Sequence, residues 1–291
     1  MKIIKILGLG AVVQNFLQTA AADFPQIVFE VYCRSPQSVV AAADNVVLRQ
    51  IKPYVPDEGV TYCCCSIDEA SFLRQAAPPH TRLQVALPNL QLIKEFIAAG
   101  YFEHGCHFIL TNPSDLIAEA VIRHTRNPNI FALGLSVDYT RYLHIVTKLG
   151  LLQDETGFTL IGNHWDSPLV NFANHDADDH EILLRKLMVS LKQQIKSEFN
   201  GFKPPVTSGV QAMRDAVAAL CRGTDLAVSG FIPALDVVGG GILRTRDMQF
   251  TQPPVNLAAG SLLTAAVSTH KHTYQQLMRN YHENSYQLTT G

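Results

Sequence analysis

The stretch KIIKILGLGAVVQNFLQTAAADFPQIVFEVYCRS, residues 2 to 35, constrains the fold more than any other. A short apolar run of strand length ends at two glycines. A helical stretch follows, and a second β-branched run comes at the distance of a βαβ unit. Gly8 permits a tight turn, and Gly10 lets backbone amides at a helix N-terminus approach a pyrophosphate. A dinucleotide fingerprint has a third glycine where this chain has Val13, whose branched side chain is expected to hinder close helix–strand packing. Taken alone, the motif fits a dinucleotide site and an ordinary strand–helix turn equally well.

The strand–helix alternation continues. SPQSVVAAADNVVLRQI is expected to be helical, capped by Ser35 or Ser38, and VTYCCCS to be a third strand. ALPNLQLIKEFIAAGY is a helix with Pro88 in its first turn, and CHFILTNPSD is a buried strand ending in a turn. DLIAEAVIRHTR is a helix, and IFALGLSVDYTRYLHIVTKLG is a strand running into another. After about residue 150 the texture changes. FTLIGNHW is a strand, DHEILLRKLMVSLKQQIKSEFNGF a long amphipathic helix stopping at Gly201, and GVQAMRDAVAALCRG a further helix. DLAVSGFIPALDVVGGGILRTRDMQF predicts an antiparallel pair joined through Gly239, Gly240 and Gly241, and a final helix covers roughly Leu262 to His282. The pattern predicts an α/β nucleotide-type domain over residues 1–137 and an α+β domain over residues 138–291.

Composition narrows the function classes. The chain is 47% hydrophobic and 16% charged over 291 residues, enough for a large core. Its net charge of -2 provides no basic field for nucleic acid or an anionic membrane. No run approaches the ~18 apolar residues of a membrane span. Lys5 interrupts the N-terminal apolar run, which argues against a signal peptide. Three of the six cysteines are adjacent in VTYCCCS, where alternating faces suit burial better than disulfides, and no CxxC spacing suggests zinc. A reducing cytoplasm is the expected setting.

Four further motifs carry possible chemistry. Arg34, at the end of the second strand, either holds a 2′-phosphate or is a solvated strand-end charge. Asn112 in TNPSD either presents its amide to a substrate and cofactor or merely makes a turn. Asp138 and Arg141 lie three apart on a helix start; such pairs are usually surface ion pairs, unless a histidine comes close. His164 in GNHWDS stands beside the lone tryptophan, Trp165, and by itself fits a structural role better than a catalytic one. HDADDH, residues 175 to 180, has no metal-ligand period and fits a solvated loop, so no metal is expected.

In order and spacing, GLGAVV, TNPSD, DYTR, GNHWDS and VSGFIPALDVVGGGI resemble the L-lactate/malate dehydrogenase family over nearly the whole chain. The resemblance implies a Rossmann-type parallel sheet followed by a substrate domain, and hydride transfer between NAD or NADP and a small 2-oxo/2-hydroxy acid. It implies that His164 exchanges the proton, Asp138 is its partner, Arg141 binds the substrate carboxylate, and Asn112 contacts substrate and cofactor. Arg82, seven residues before Asn89, matches the carbonyl-polarising arginine of the family's mobile loop. Gly8, Gly10 and Arg34 fall at cofactor positions. Ala76, six before Arg82, offers no partner for a second carboxylate, so an apolar 2-oxo acid is expected. A homo-oligomer, dimer or tetramer, is also implied. Departures from the family pattern are Val13, Cys33, Trp165 in place of a glycine, and a segment between Val60 and Arg82 about one strand short. They motivate an alternative: a non-catalytic relative acting as a binding or regulatory protein.

Overall fold

A computed structural model describes residues 2–34, 43–53, 61–65, 81–148, 158–162, 164, 169–172, 186–187, 190, 206–252 and 257–289. The first half contains strands β1 (Lys2–Leu7), β2 (Ile27–Cys33), β3 (Val46–Gln50), β4 (Thr61–Cys65), β5 (His107–Ile109) and β6 (Ile130–Ala132). Helices α1 (Ala11–Thr19), α2 (Thr81–Ala98) and α3 (Ser114–Thr125) alternate with them. After helix α4 (Gly134–Lys148) come β7 (Phe158–Ile161), β8 (Leu169–Phe172), helix α5 (Val206–Arg222), β9 (Asp225–Ile232), β10 (Val237–Arg244), β11 (Gln249–Thr251) and helix α6 (Leu257–Thr289).

The main sheet among the described residues has nine strands in the order β11-β10-β9-β6-β5-β4-β1-β2-β3. The six strands from β3 to β6 are parallel and follow the Rossmann order 3-2-1-4-5-6. The rest is an antiparallel extension that joins through a single pairing of Ala132 with Ser229. β7 and β8 form a separate antiparallel ribbon.

Alternation along each strand divides the core into two layers. Ile4, Ile6, Phe29, Val31, Phe108 and Phe131 face the side covered by α1 and α5. Leu7, Tyr32, Ile109 and Ala132 face the side covered by α2 and α3. This period of two is what parallel strands buried on both faces require. Phe29 anchors the first layer, with the rings of Phe16 and Phe24 edge-on at 5.3 and 6.4 Å.

Several expectations need correction. Val46–Gln50, predicted helical, is strand β3 and pairs in parallel with β2 from Phe29↔Val46 to Cys33↔Gln50. Its β-branched residues continue the sheet edge once Asn45 has closed the turn, its side-chain amide donating to three carbonyls. VTYCCCS therefore supplies the fourth strand, and the strand that seemed missing lies upstream of it. α2 starts at Thr81, so Pro88 is inside the helix and not in its first turn. Val13 does not hold α1 away: it is fully buried in the first core layer. The close approach is made instead against α5, where a Cβ on Gly209 would lie 3.1 Å from Val12.

Gly239, Gly240 and Gly241 lie inside β10 rather than in the turn before it. A Cβ on Gly240 would fall 2.5 Å from the carbonyl oxygen of Leu160 in β7. Gly240 thus makes room for the ribbon that leads to His164, while Gly241 makes room for Phe250 and Thr251 of β11. α6 exceeds its predicted span at both ends. Most of the expected helix ending at Gly201 lies outside the described residues, as do Ser35, Ser38, Ala76, Trp165 and the run from His175 to His180.

Candidate active site

β1 ends at Gly8, whose φ of 88° suits a residue without a Cβ, and whose N–H donates to Tyr32 O at 2.9 Å. Gly10 is the N-cap of α1 and has no side chain to cap with, while Ala11 is exposed. The first-turn amides of α1 therefore face outward without side-chain acceptors, at the carboxyl end of a central strand. Such a cradle accepts a pyrophosphate.

The catalytic candidates converge from two directions. α4 carries Asp138 and Arg141 on one face, and β7 delivers His164 through Gly162, which turns with φ of 85°. Gly162 is itself fixed, because its carbonyl accepts the Gly240 N–H at 2.7 Å. His164 Nδ1 lies 2.6 Å from Asp138 Oδ2, with the histidine 7% exposed and the aspartate fully buried. A carboxylate accepts only, so Nδ1 carries the hydrogen and Nε2 is left to exchange a proton. Arg141 Nη1 donates to the other oxygen of Asp138 at 3.1 Å, and Nη2 reaches Ser208 Oγ at 3.4 Å. Arg141 Nε is buried and has no hydrogen-bond partner among the described residues. The fork thus keeps donors to offer an anion.

Two supporting residues escaped the sequence reading. Asp115, in the first turn of α3, accepts the backbone N–H of His164 at 2.5 Å and is 1% exposed. Asn89, on α2, donates to Asn112 O at 2.7 Å and fixes the backbone there. Asp115 carried a usable signal, since it follows Asn112 within the TNPSD motif and an acid favours a helix N-terminus. Asn89 carried none. Asn112 is half-buried at the carboxyl end of β5, and its side-chain amide makes no hydrogen bond among the described residues.

The remaining predicted residues are placed as follows. Arg82 lies in the first turn of α2. Arg34 does not stand free: its Nε donates to Glu95 Oε2 of α2 at 3.1 Å, and its Nη2 bonds Glu95 Oε1. Among the described residues, Cys33, Cys106 and Cys221 take part in no disulfide. No helix among the described residues is long and apolar enough to cross a membrane.

This arrangement is a doubly wound parallel sheet with a buried histidine–carboxylate pair beside its carboxyl edge. It is the fold of the lactate and malate dehydrogenases over almost the entire chain. Malate dehydrogenase from Picrophilus torridus in its apo form matches with a TM-score of 0.70 at 15% identity, covering 97% of this chain and 99% of that one. The minor L-lactate dehydrogenase of Enterococcus mundtii in a ligand-bound form matches with a TM-score of 0.70 at 15% identity, over 94% and 98%. Lactate dehydrogenase from Cryptosporidium parvum, complexed with lactic acid and β-nicotinamide adenine dinucleotide, matches with a TM-score of 0.70 at 12% identity, over 95% and 98%. No family model matches the sequence, and no curated protein matches it.

Proposed function

We propose that the protein is an NAD(P)-dependent L-2-hydroxyacid dehydrogenase acting on a small apolar 2-oxo acid and its hydroxy acid. The observation that carries this reading is the buried Asp138–His164 pair: the aspartate engages Nδ1, which leaves Nε2 for proton exchange, and the same aspartate holds Arg141 through its other oxygen. A nicotinamide cofactor supplies or accepts the hydride. The turn from Gly8 to Gly10 and the open amides of α1 fit its pyrophosphate.

In this reading His164 gives the proton from Nε2 to the carbonyl oxygen during reduction and removes it during oxidation. Asp138 holds the imidazole in the required tautomer and stabilises its charged form. Arg141 grips the substrate carboxylate, and Arg82 and Asn112 steady the oxygen on which charge develops. The position that the family resemblance assigns to substrate choice is Ala76, and alanine carries no cation, so an apolar tail is preferred to a second carboxylate. Assembly as a homodimer or homotetramer belongs to the same reading.

The test is to titrate purified protein with NADH and NADPH, then follow cofactor oxidation with pyruvate, longer apolar 2-oxo acids and oxaloacetate. Saturable cofactor binding with turnover of an apolar 2-oxo acid is expected. His164→Ala should abolish turnover while leaving cofactor binding in place. Folded protein that binds neither cofactor, or that turns over as well without His164, overturns the reading.

A further inference from the structure

The carboxyl end of β2 is where a doubly wound fold chooses between a bare adenosine ribose and a 2′-phosphate: an acid there binds the hydroxyls, an arginine the phosphate. In this chain β2 ends at Cys33 and Arg34 follows it. The one acid within the strand, Glu30, is engaged further back, accepting from Tyr32 Oη at 2.9 Å and Arg49 Nη2 at 3.2 Å. The carboxylate that does reach the strand end comes from another element. Glu95 of α2, 61 positions along the chain, meets Arg34 edge to edge with both oxygens.

α1 and α2 cover opposite faces of the sheet, and they follow the adjacent central strands β1 and β4. That divergence is the switch point where a cofactor crevice opens. The Arg34–Glu95 pair links the strand on one side of it to the helix on the other. Arg34 is 61% exposed and Glu95 46%, so a ligand can reach both.

From this geometry we infer that Glu95 is an internal competitor of a 2′-phosphate for Arg34, and that it sets a preference for NADH over NADPH. A guanidinium presents the same two-pronged edge to a carboxylate as to a phosphate, so the two ligands exclude each other. Glu95 also adds a negative charge where the 2′-phosphate would sit. The arginine that, read from the strand alone, announces NADP is thereby neutralised by a residue the strand does not contain. An exposed pair of this kind contributes little to stability, so removing it leaves the fold intact.

This inference rests on the dehydrogenase reading above, and the experiment separates the two. NADH, NADPH and the fragment 2′,5′-ADP are titrated against the wild type, Glu95→Gln, and Glu95→Gln combined with Arg34→Ala. The wild type should bind NADH more tightly than NADPH. Glu95→Gln should strengthen NADPH and 2′,5′-ADP by about tenfold, in the range of a hydrogen bond to a charged group, with NADH little changed. Adding Arg34→Ala should erase that gain. Cofactor binding with an NADH-to-NADPH ratio that Glu95→Gln does not move overturns the inference and leaves the dehydrogenase reading standing. So does a wild type that already prefers NADPH. Absence of any saturable cofactor binding to folded protein overturns both.

Discussion

Gly134 has no room for a side chain because His164 occupies the space: a Cβ on Gly134 would lie 2.7 Å from the imidazole Cγ and 2.4 Å from Ser114 Oγ. The start of α4 is thus moulded to the ring that its own Asp138 holds. Gly134→Ala should displace the imidazole, lowering kcat more than tenfold at a stability cost of about 1–3 kcal/mol. Steady-state kinetics alongside urea unfolding checks this. An active variant of unchanged kcat would show that the ring has slack.

Asp138→Asn keeps the size of the side chain but removes the acceptor that fixes the His164 tautomer. Turnover should fall by about 10²–10⁴, the range for losing an acid–base group, while NADH affinity stays near that of the wild type. Arg141 loses a partner in the same variant, so KM for the 2-oxo acid should rise as well. Separate measurement of kcat, KM and cofactor affinity distinguishes these effects from general unfolding.

The pH dependence of stability should carry a component from His107. Burial pushes this imidazole down to about 4 from 6.5, against the opposing pull of the His104 carbonyl, which accepts from Nε2 at 2.7 Å. Below pH 6.5 the unfolded chain takes up a proton that the folded chain refuses until about pH 4. This contribution is therefore complete above 6.5 and declines as pH falls toward 4, by on the order of 3 kcal/mol. His107→Gln keeps a donor for the carbonyl and should flatten the stability profile in that window.

A second component belongs to Glu119, buried between α3, β10 and α6. Burial raises its pKa, but the His270 Nε2 contact at 2.6 Å, the Arg123 ion pair and the Val238 N–H together hold it below its ordinary 4.5. The stabilisation is present above pH 4.5 and is lost as pH falls through the depressed folded value. Glu119→Gln should remove this acid-side loss. It should also lower stability at neutral pH by about 3–5 kcal/mol, the usual cost of breaking a buried pair. Thermal melts across pH test both halves of the statement.

Legibility in the sequence followed the range of each interaction. The Gly8–Gly10 turn and the DYTR helix rest on local spacing, which is visible in a chain, whereas the role proposed for His164 rests on the family resemblance, because GNHWDS by itself fits a structural histidine. β3 was misread because SVVAAADNVVLRQ alternates small and branched residues in a pattern that a helix also satisfies; only pairing with β2 decides it. The three glycines of β10 read as a turn because nothing nearby reveals that Leu160 needs the space at Gly240, or Phe250 the space at Gly241. Asp115, Glu95 and His270 reach their partners across 49, 61 and 151 positions, and no periodicity encodes a contact at such distances.

The pairing of β6 with β9 bears on whether the two halves can exist apart. A cut between residues 137 and 138 would fall inside α4, next to Ser136, whose hydroxyl donates to the carbonyl of Ala227 in β9. It would also strip β6 of its neighbour and leave a short, buried, apolar strand as a bare edge, ready to pair with any chain that meets it. The first half produced alone should therefore aggregate, because the antiparallel extension covers that edge as well as meeting the ribbon that leads to His164.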